Sequence, residues 1–333
     1  MPDERQAPAP AGPPVAARPR RALIVANPTA GTMAPGTLTE AAGLCRDRLA
    51  HVDVHTTRHR GDARDTVRAA LRRPPAEAPD LVVAMGGDGT VGEVIAGMTD
   101  GHRPASAALA VVPAGTGNSG YRMVWGRLPW QDALRAALAA PSPDAVARRV
   151  DLALLVETGA LVFLGACSGV IAEALETARG IPLTGPARYE RALAETARAF
   201  SPYPGRVTVD GAVVHEGGTV FANVGGGRVR GGQYLVLPRS DPDDGLLDVC
   251  VFGSPAAATE VAGLTLTGAH LDRQGVVYAR GRTVRVERLD GRPLRYEHDG
   301  ELQPPGPTTM TLRVLPAMIP VRGTPIPEPV PAT

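Results

Sequence analysis

An apolar run, Leu81-Val82-Val83-Ala84, leads into Met85-Gly86-Gly87-Asp88-Gly89-Thr90, and a periodic segment follows at once. The run reads as a buried strand. Val91, Val94, Ile95 and Met98 then recur at i, i+3, i+4 and i+7, the stripe of an amphipathic helix. Thr90 and Glu93 have the spacing of a capping box at its start. Strand, glycine turn and helix N-terminus thus follow in order. The glycines let backbone approach a ligand closely, and amides at the helix start favour an anion. Asp88 inside such a site repels a bare phosphate, so it implies a bridging divalent cation. The stretch predicts a nucleotide-phosphate site with metal.

The same alternation recurs through the first half. Strands are predicted over 22–26, 52–57, 81–85 and 108–112, and helices over 38–49, 62–71, 90–98 and 130–139. That order argues for a doubly wound parallel α/β sheet, with ligand beyond the carboxyl ends of the strands. Glycine-bearing loops leave those ends at Asn27-Pro28-Thr29-Ala30-Gly31, Gly86 to Thr90, and Pro113-Ala114-Gly115-Thr116-Gly117-Asn118. Their convergence on one sheet edge is a stronger signal than any one loop.

The pattern changes after Pro141-Ser142-Pro143. Asp210-Gly211 and Asp290-Gly291 each stand between β-like runs, which predicts two hairpins, 206–215 and 284–297. Further strand-like runs lie at 152–156, 161–167, 219–224, 246–252 and 309–314, with helical stretches near 187–199 and 256–268. The second half is therefore predicted to be an antiparallel β-sandwich or barrel, in a sheet separate from the first. The expected division is a disordered leader over 1–20, a nucleotide-binding unit over 21–145, a β-sandwich substrate unit over 150–315 and a C-terminal segment over 316–333.

Composition narrows the function. A net charge of +1 gives no argument for a nucleic-acid partner, and 4% aromatic content weakens any case for base stacking. All 35 basic residues are arginine. With no lysine, phosphate must be held by backbone amides, hydroxyls, arginine and metal. Cys45, Cys167 and Cys250 are far apart in apolar segments, the usage of core packing in a reducing cytoplasm. No apolar run reaches the length of a membrane span, and the leader lacks an apolar signal core.

Taken in order, the loops above, Thr57 with Gly61-Asp62-Ala63, Asp244-Gly245-Leu246-Leu247-Asp248-Val249 and Asp299-Gly300-Glu301 resemble the diacylglycerol kinase catalytic-domain family. That family includes bacterial lipid kinases and sphingosine and ceramide kinases. The resemblance spans residues 22 to about 315. It implies ATP bound in a cleft between an α/β unit and a β-sandwich, with Ala317 to Val321 returning to the first unit. Two positions depart from the family pattern. Gly92 stands where Asn is usual, and Ser119 stands where the bacterial enzymes place an acid near the acceptor hydroxyl.

The resemblance and the residue types together assign roles. Asn27, Pro28, Thr29, Ala30 and Gly31 would hold the triphosphate, with Thr57, Gly86, Gly87, Asp88, Gly89, Thr90, Val91 and Gly92 completing the site. Gly115 and Thr116 would close the nucleotide pocket, Ser119 would face the acceptor, and Asn118 would orient either the acceptor or its own loop. Asp88 is the expected Mg²⁺ ligand. Asp299 and Glu301, at i and i+2 of a probable strand end, would point to one face and suit deprotonation of a hydroxyl. The resemblance gives the proton to Glu301. In bacterial members the loop matching Asp241, Asp244 and the Leu246 carbonyl binds a structural Mg²⁺. The chain is expected to be an ATP- and Mg²⁺-dependent kinase of a lipid or lipid-like alcohol, in the cytoplasm, with transient contact at the inner membrane face. A soluble-metabolite kinase of the NAD-kinase type and a catalytically weak nucleotide- or lipid-binding protein stay open, as does a homodimer.

Overall fold

The computed structural model describes residues 18–31, 33–139, 148–254 and 256–322. All but the end of the expected leader, and the Pro-rich stretch after residue 322, lie outside them.

The first half runs β1 (Arg21–Ala26), α1 (Thr37–Arg46), β2 (His51–Thr56), α2 (Asp62–Leu71), β3 (Leu81–Gly86), α3 (Asp88–Met98), β4 (Ala108–Pro113), α4 (Ser119–Trp125) and α5 (Trp130–Leu138). The strands lie parallel in the order β2-β1-β3-β4. β3 is buried along its whole length, as its unbroken apolar run predicts for a sheet covered on both faces. Ala41, Ala42 and Cys45 of α1 pack with Leu134 and Leu138 of α5 on one face. Val67 of α2 and Val91, Val94 and Ile95 of α3 pack on the other. The order reverses between β1 and β3, so the loops after those strands open at the switch point of the sheet.

The second half runs β5 (Arg148–Leu155), β6 (Ala160–Val162), β7 (Ala166–Gly169), α6 (Val170–Arg179), α7 (Gly185–Ala199), β8 (Tyr203–Val209), β9 (Ala212–Gly225), β10 (Val229–Arg230), β11 (Tyr234–Leu235), β12 (Leu247–Gly253), α8 (Val261–Thr267), β13 (Val276–Gly281), β14 (Thr283–Arg288), β15 (Tyr296–His298), β16 (Glu301–Leu302) and β17 (Thr309–Val321). Its pairings are antiparallel throughout, apart from a single contact of β17 with β4. The architecture is thus a parallel α/β unit followed by an antiparallel β-rich unit.

Several expectations are corrected. α3 begins at Asp88 with Gly87 as its cap and no side-chain capping bond, so Thr90 and Glu93 form no capping box. Their groups bond outward instead: Asn27 Nδ2 donates to Thr90 Oγ1 at 3.2 Å, and the Gly61 N–H donates to Glu93 Oε1 at 2.9 Å. Asp210-Gly211 does join a hairpin, β8 to β9. Asp290-Gly291 does not, because β14 pairs with β8 and β17 while β15 pairs with β7 and β16. The run 161–167 splits into β6 and β7, and α4 and α6 are additions to the predicted elements. The two sheets are also joined. β17 pairs with β5 and β14, then reaches β4 through Val321 and Leu109. One strand crosses the boundary expected near residue 316, with its register shift between Leu315 and Ile319.

Candidate functional site

The loops after β1, β3 and β4 lock together by backbone approach and by two asparagines. Asn27 Oδ1 accepts from the Thr29 N–H at 3.0 Å and the Thr29 hydroxyl at 2.8 Å, while its amide nitrogen reaches Thr90. Gly87 and Gly115 touch backbone to backbone, and a Cβ on Gly115 would stand 2.3 Å from Gly87 Cα. Only glycine permits that approach. Asn118, with φ of 51°, accepts from the Gly115 N–H at 2.9 Å and donates to the Gly115 carbonyl at 2.7 Å. Both ends of its amide serve the loop.

Asp88 sits where these loops meet the start of α4. Its carboxylate accepts from the Ser119 N–H at 3.0 Å and the Gly120 N–H at 2.9 Å. It therefore occupies the N-terminal amides of α4, with the charge that favours such a position. Burial pushes its carboxyl above the usual range, and the charge of Asp299 adds to this against the pull of the amides and Arg230.

Asp299 arrives from the second unit. It has φ of 50°, Gly300 has φ of 84°, and the two make the turn that joins β15 to β16, where His298 pairs with Glu301. Asp299 and Glu301 consequently do not share one strand face, which corrects the i, i+2 argument. The Asp299 carboxylate accepts from the amides of Phe163 at 2.9 Å, Leu164 at 2.7 Å and Gly165 at 3.3 Å. Burial opposes its ionisation, but neighbouring His298, these amides and Arg230 outweigh burial and hold the carboxyl below its ordinary range. Glu301 is half-exposed and pairs with Arg60.

Two cavities meet at these carboxylates. The larger, of about 970 Å³, is polar and open, and Asn27, Thr29, Thr57, Gly89, Thr90 and Gly92 line it from the first unit. His298 and Glu301 line it from the second. The smaller, of about 270 Å³, runs among Leu164, Ile171, Ala174, Leu193, Tyr234 and Val236, in the shelter of α6, α7 and α8. Asp88 and Asp299 line both. Thr116 and Ser119 face the apolar cavity, so Thr116 is not part of the polar cleft's wall as expected. Val91 is also removed from the ligand, being 1% exposed in the core. Pro28, Ala30, Gly31, Gly86, Gly87 and Gly115 shape or support the loops without lining the larger cavity.

The acidic loop before β12 is neutralised by arginine. Arg148 pairs with Asp243 and, at 3.2 Å, with Asp241, while Arg280 pairs with Asp244. Guanidinium groups thus supply counter-charge to Asp241 and Asp244, the carboxylates expected to hold a structural cation with the Leu246 carbonyl. Among the described residues, no cluster of three or more His, Cys, Asp or Glu side chains could hold an ion. Mg²⁺ carried on phosphates needs only one or two carboxylates beside phosphate and water, and the larger cavity offers Asp88, Asp299 and Glu301.

The most informative residues absent from the sequence reading are Arg230 and Glu297. Arg230 Nη2 donates to Glu297 Oε1 at 2.5 Å and to the Gly165 carbonyl at 2.9 Å, and Glu297 Oε2 accepts from the Gly300 N–H at 2.8 Å. Glu297 precedes the Asp-Gly-Glu motif by two positions, and Arg230 lies in the glycine-flanked stretch 225–232. A charge inside an otherwise strand-like or glycine-rich run was the available signal. The three cysteines are free and buried, as expected. No helix among the described residues is long and apolar enough to cross a membrane.

Comparison with known proteins agrees with this geometry. The family model for the diacylglycerol kinase catalytic domain matches residues 21–149. The model for the YegS C-terminal NAD kinase beta sandwich-like domain matches residues 165–323. A probable lipid kinase YegS-like protein of Pseudomonas aeruginosa is 31% identical over 74% of this chain and 77% of its own length. A diacylglycerol kinase of Mycobacterium tuberculosis is 28% identical over 80% and 85%. The crystal structure of a diacylglycerol kinase from Bacillus anthracis superposes with a TM-score of 0.68 at 20% identity, over 92% of this chain and 98% of that one, which is a likeness of fold. With two loops crossed backbone to backbone at Gly87 and Gly115, and with matches along nearly its whole described length, the chain belongs to the diacylglycerol kinase catalytic-domain family of lipid kinases, alongside the bacterial YegS-like proteins.

Proposed function

We propose that this protein transfers the γ-phosphate of ATP, with Mg²⁺, to a hydroxyl of a lipid or lipid-like alcohol. The observation that carries the reading is the pair of cavities sharing Asp88 and Asp299 as a common wall. The polar cleft suits a triphosphate, with the backbone and hydroxyls of Asn27, Thr29 and Thr90 in place of lysine. The apolar cavity suits the hydrocarbon of an acceptor. A hydroxyl at the inner end of that hydrocarbon meets the cleft beside Asp88.

Phosphoryl transfer needs positioning and a place for the hydroxyl proton. Asp88 is the better proton acceptor. It borders both cavities, two amides fix its orientation, and burial raises its proton affinity. Asp299 is a poorer base, because its amide bonds favour the charged form. It holds the turn that presents Glu301 to the cleft. Bound on the phosphates, Mg²⁺ would offset their charge, and Glu301 is the exposed carboxylate available to it. This reading exchanges the expected roles of Asp88 and Glu301.

The test is Mg²⁺-dependent ATP turnover against a panel of diacylglycerol, a sphingoid base, a polyprenol and NAD. Phosphorylation of a lipid alcohol supports the reading. Phosphorylation of NAD alone would replace it with a soluble-metabolite kinase, and ATP binding without transfer to any acceptor would leave a binding protein.

A further inference from the structure

Arg230 is an unusual tenant of an apolar cavity. Its side chain is 9% exposed, and that of its partner Glu297 is 3% exposed. A guanidinium offers five N–H groups. Nη2 serves Glu297 and the Gly165 carbonyl, while Nε and Nη1 have no partner among the described residues. The residue lines the apolar cavity at the end where Asp88 and Asp299 stand. Neither nitrogen is among the sealed polar atoms without a partner, so both open into the cavity, where a ligand atom can take the place of water.

The position is also held firmly. Glu297 bonds both Arg230 and the Gly300 amide, and the Gly165 carbonyl accepts from both Arg230 and the Asp299 amide at 3.0 Å. The hairpin β10–β11 that carries Arg230 is anchored to the first unit, because the Gly232 N–H donates to Ser119 Oγ at 3.1 Å. Arg122 donates to the Gly232 carbonyl as well. The guanidinium is thereby fixed relative to Asp88.

We infer that Arg230 reads an oxygen acceptor on the substrate, set close to the hydroxyl that receives phosphate. This rests on the lipid-alcohol reading above and narrows it. The carboxylates of Asp88, Glu297 and Asp299 outnumber this one cation, so the oxygen is neutral and not an additional anion. An ester carbonyl meets the requirement. A plain long-chain alcohol leaves the Nε and Nη1 donors unmatched, and an amino alcohol brings a donor where an acceptor is needed. Arg230 is thus a specificity-determining residue for an ester-bearing alcohol.

The experiment compares a 1,2-diacylglycerol with its 1,2-dialkylglycerol ether, of equal chain length, in the same mixed micelles. The wild-type protein is expected to favour the ester in kcat/KM by about 10- to 100-fold, the worth of a hydrogen bond from a charged donor. Arg230→Met with Glu297→Gln removes the ion pair whole, so that Glu297 is not left behind as an unpaired carboxylate. In that double variant the ester KM should rise to meet the ether KM, with the KM for ATP unchanged. Arg230→Lys keeps the charge without the planar fork and should give an intermediate ratio. An unchanged ester-to-ether ratio in the folded double variant overturns the inference, as does equal loss on both lipids. If the wild-type protein phosphorylates neither glycerolipid but does phosphorylate a sphingoid base or a polyprenol, this inference is overturned while the lipid-alcohol reading stands; if it phosphorylates no lipid alcohol, both fall.

Discussion

The two cavities that meet at Asp88 and Asp299 are made of different materials. The polar cleft is a product of backbone. Its loops are fixed by glycine contacts and by asparagines that bond their own neighbours, and few of its side chains could be exchanged without moving the chain. The apolar cavity is a product of side chains, contributed by separate helices, a short strand and loops, that need only be hydrophobic and of suitable volume. In the proposed reaction phosphate is the constant reactant, and it would be met by geometry that tolerates little change. The proposed acceptor would be met by a surface that can be altered one residue at a time. Gly92 and Ser119 lie one on each side of this division, in the cleft and in the apolar cavity respectively.

The largest expected effect is at the shared wall. Asp88→Asn should lower kcat by about 10² to 10⁴ while ATP binding is retained, as measured by steady-state kinetics beside calorimetry. The acid limb of the wild-type kcat profile should lie above the ordinary carboxylate range, the direction in which burial moves Asp88. Loss of ATP binding in this variant would place Asp88 on the cleft side alone. Next in size is a blockade of one cavity. Ala174, 6% exposed, lines the apolar cavity, and Ala174→Phe should raise the acceptor KM at least about tenfold with little change for ATP. Equal effects on both substrates would mean that the cavities do not act separately.

A third change lies outside both cavities and is read in stability. Desolvation raises the carboxyl of Asp248 to about 6, against the Tyr278 hydroxyl bond at 2.7 Å. A raised folded-state value favours the protonated form, so the stability it confers is present below about pH 4 and lost as pH rises through about 6. Asp248→Asn should therefore stabilise the protein at pH 7 by up to about 3 kcal/mol and change little at pH 4, in urea melts. Kinetics for both substrates should be untouched. The smallest effect is expected at Glu301, whose partner Arg60 is exposed. Glu301→Gln should cost less than about 1 kcal/mol in stability and raise the Mg²⁺ requirement several-fold. A fall in kcat of about 10² or more would instead return the proton to Glu301.

The same contrast explains what was legible from sequence. Backbone-made sites leave local signatures, and so Asn27, Gly86 to Thr90 and Gly115 could be read directly. The parallel sheet was legible for a related reason, since β1, β3 and β4 are apolar along their length and each is followed by its helix. The apolar cavity was not, because Ile171, Leu193 and Val236 look like ordinary core residues until the fold leaves a gap between them. Arg230 and Glu297 are far apart in the chain, and nothing local pairs them. The Asp290-Gly291 turn misled because a turn signal specifies a reversal and not the partner of the strand that follows. Asp299 misled because a left-handed turn at that position ends the alternation on which the i, i+2 argument depends.

The strand β17 has a consequence for how the molecule is made. Its end pairs with β4, the Ala105 N–H donates to the Met318 carbonyl at 2.8 Å, and Trp125 Nε1 donates to the Arg322 carbonyl at 3.3 Å. Met318, Ile319 and Val321 lie in the same core as Val94 and Leu109. The parallel unit, translated before the antiparallel one, is therefore completed by the last strand among the described residues. Until that strand arrives, β4 keeps an uncovered edge, and its neighbouring core lacks one wall. The frame of the polar cleft is complete only when that strand has paired, so a chain cut short before it would hold every glycine loop without the frame that sets them.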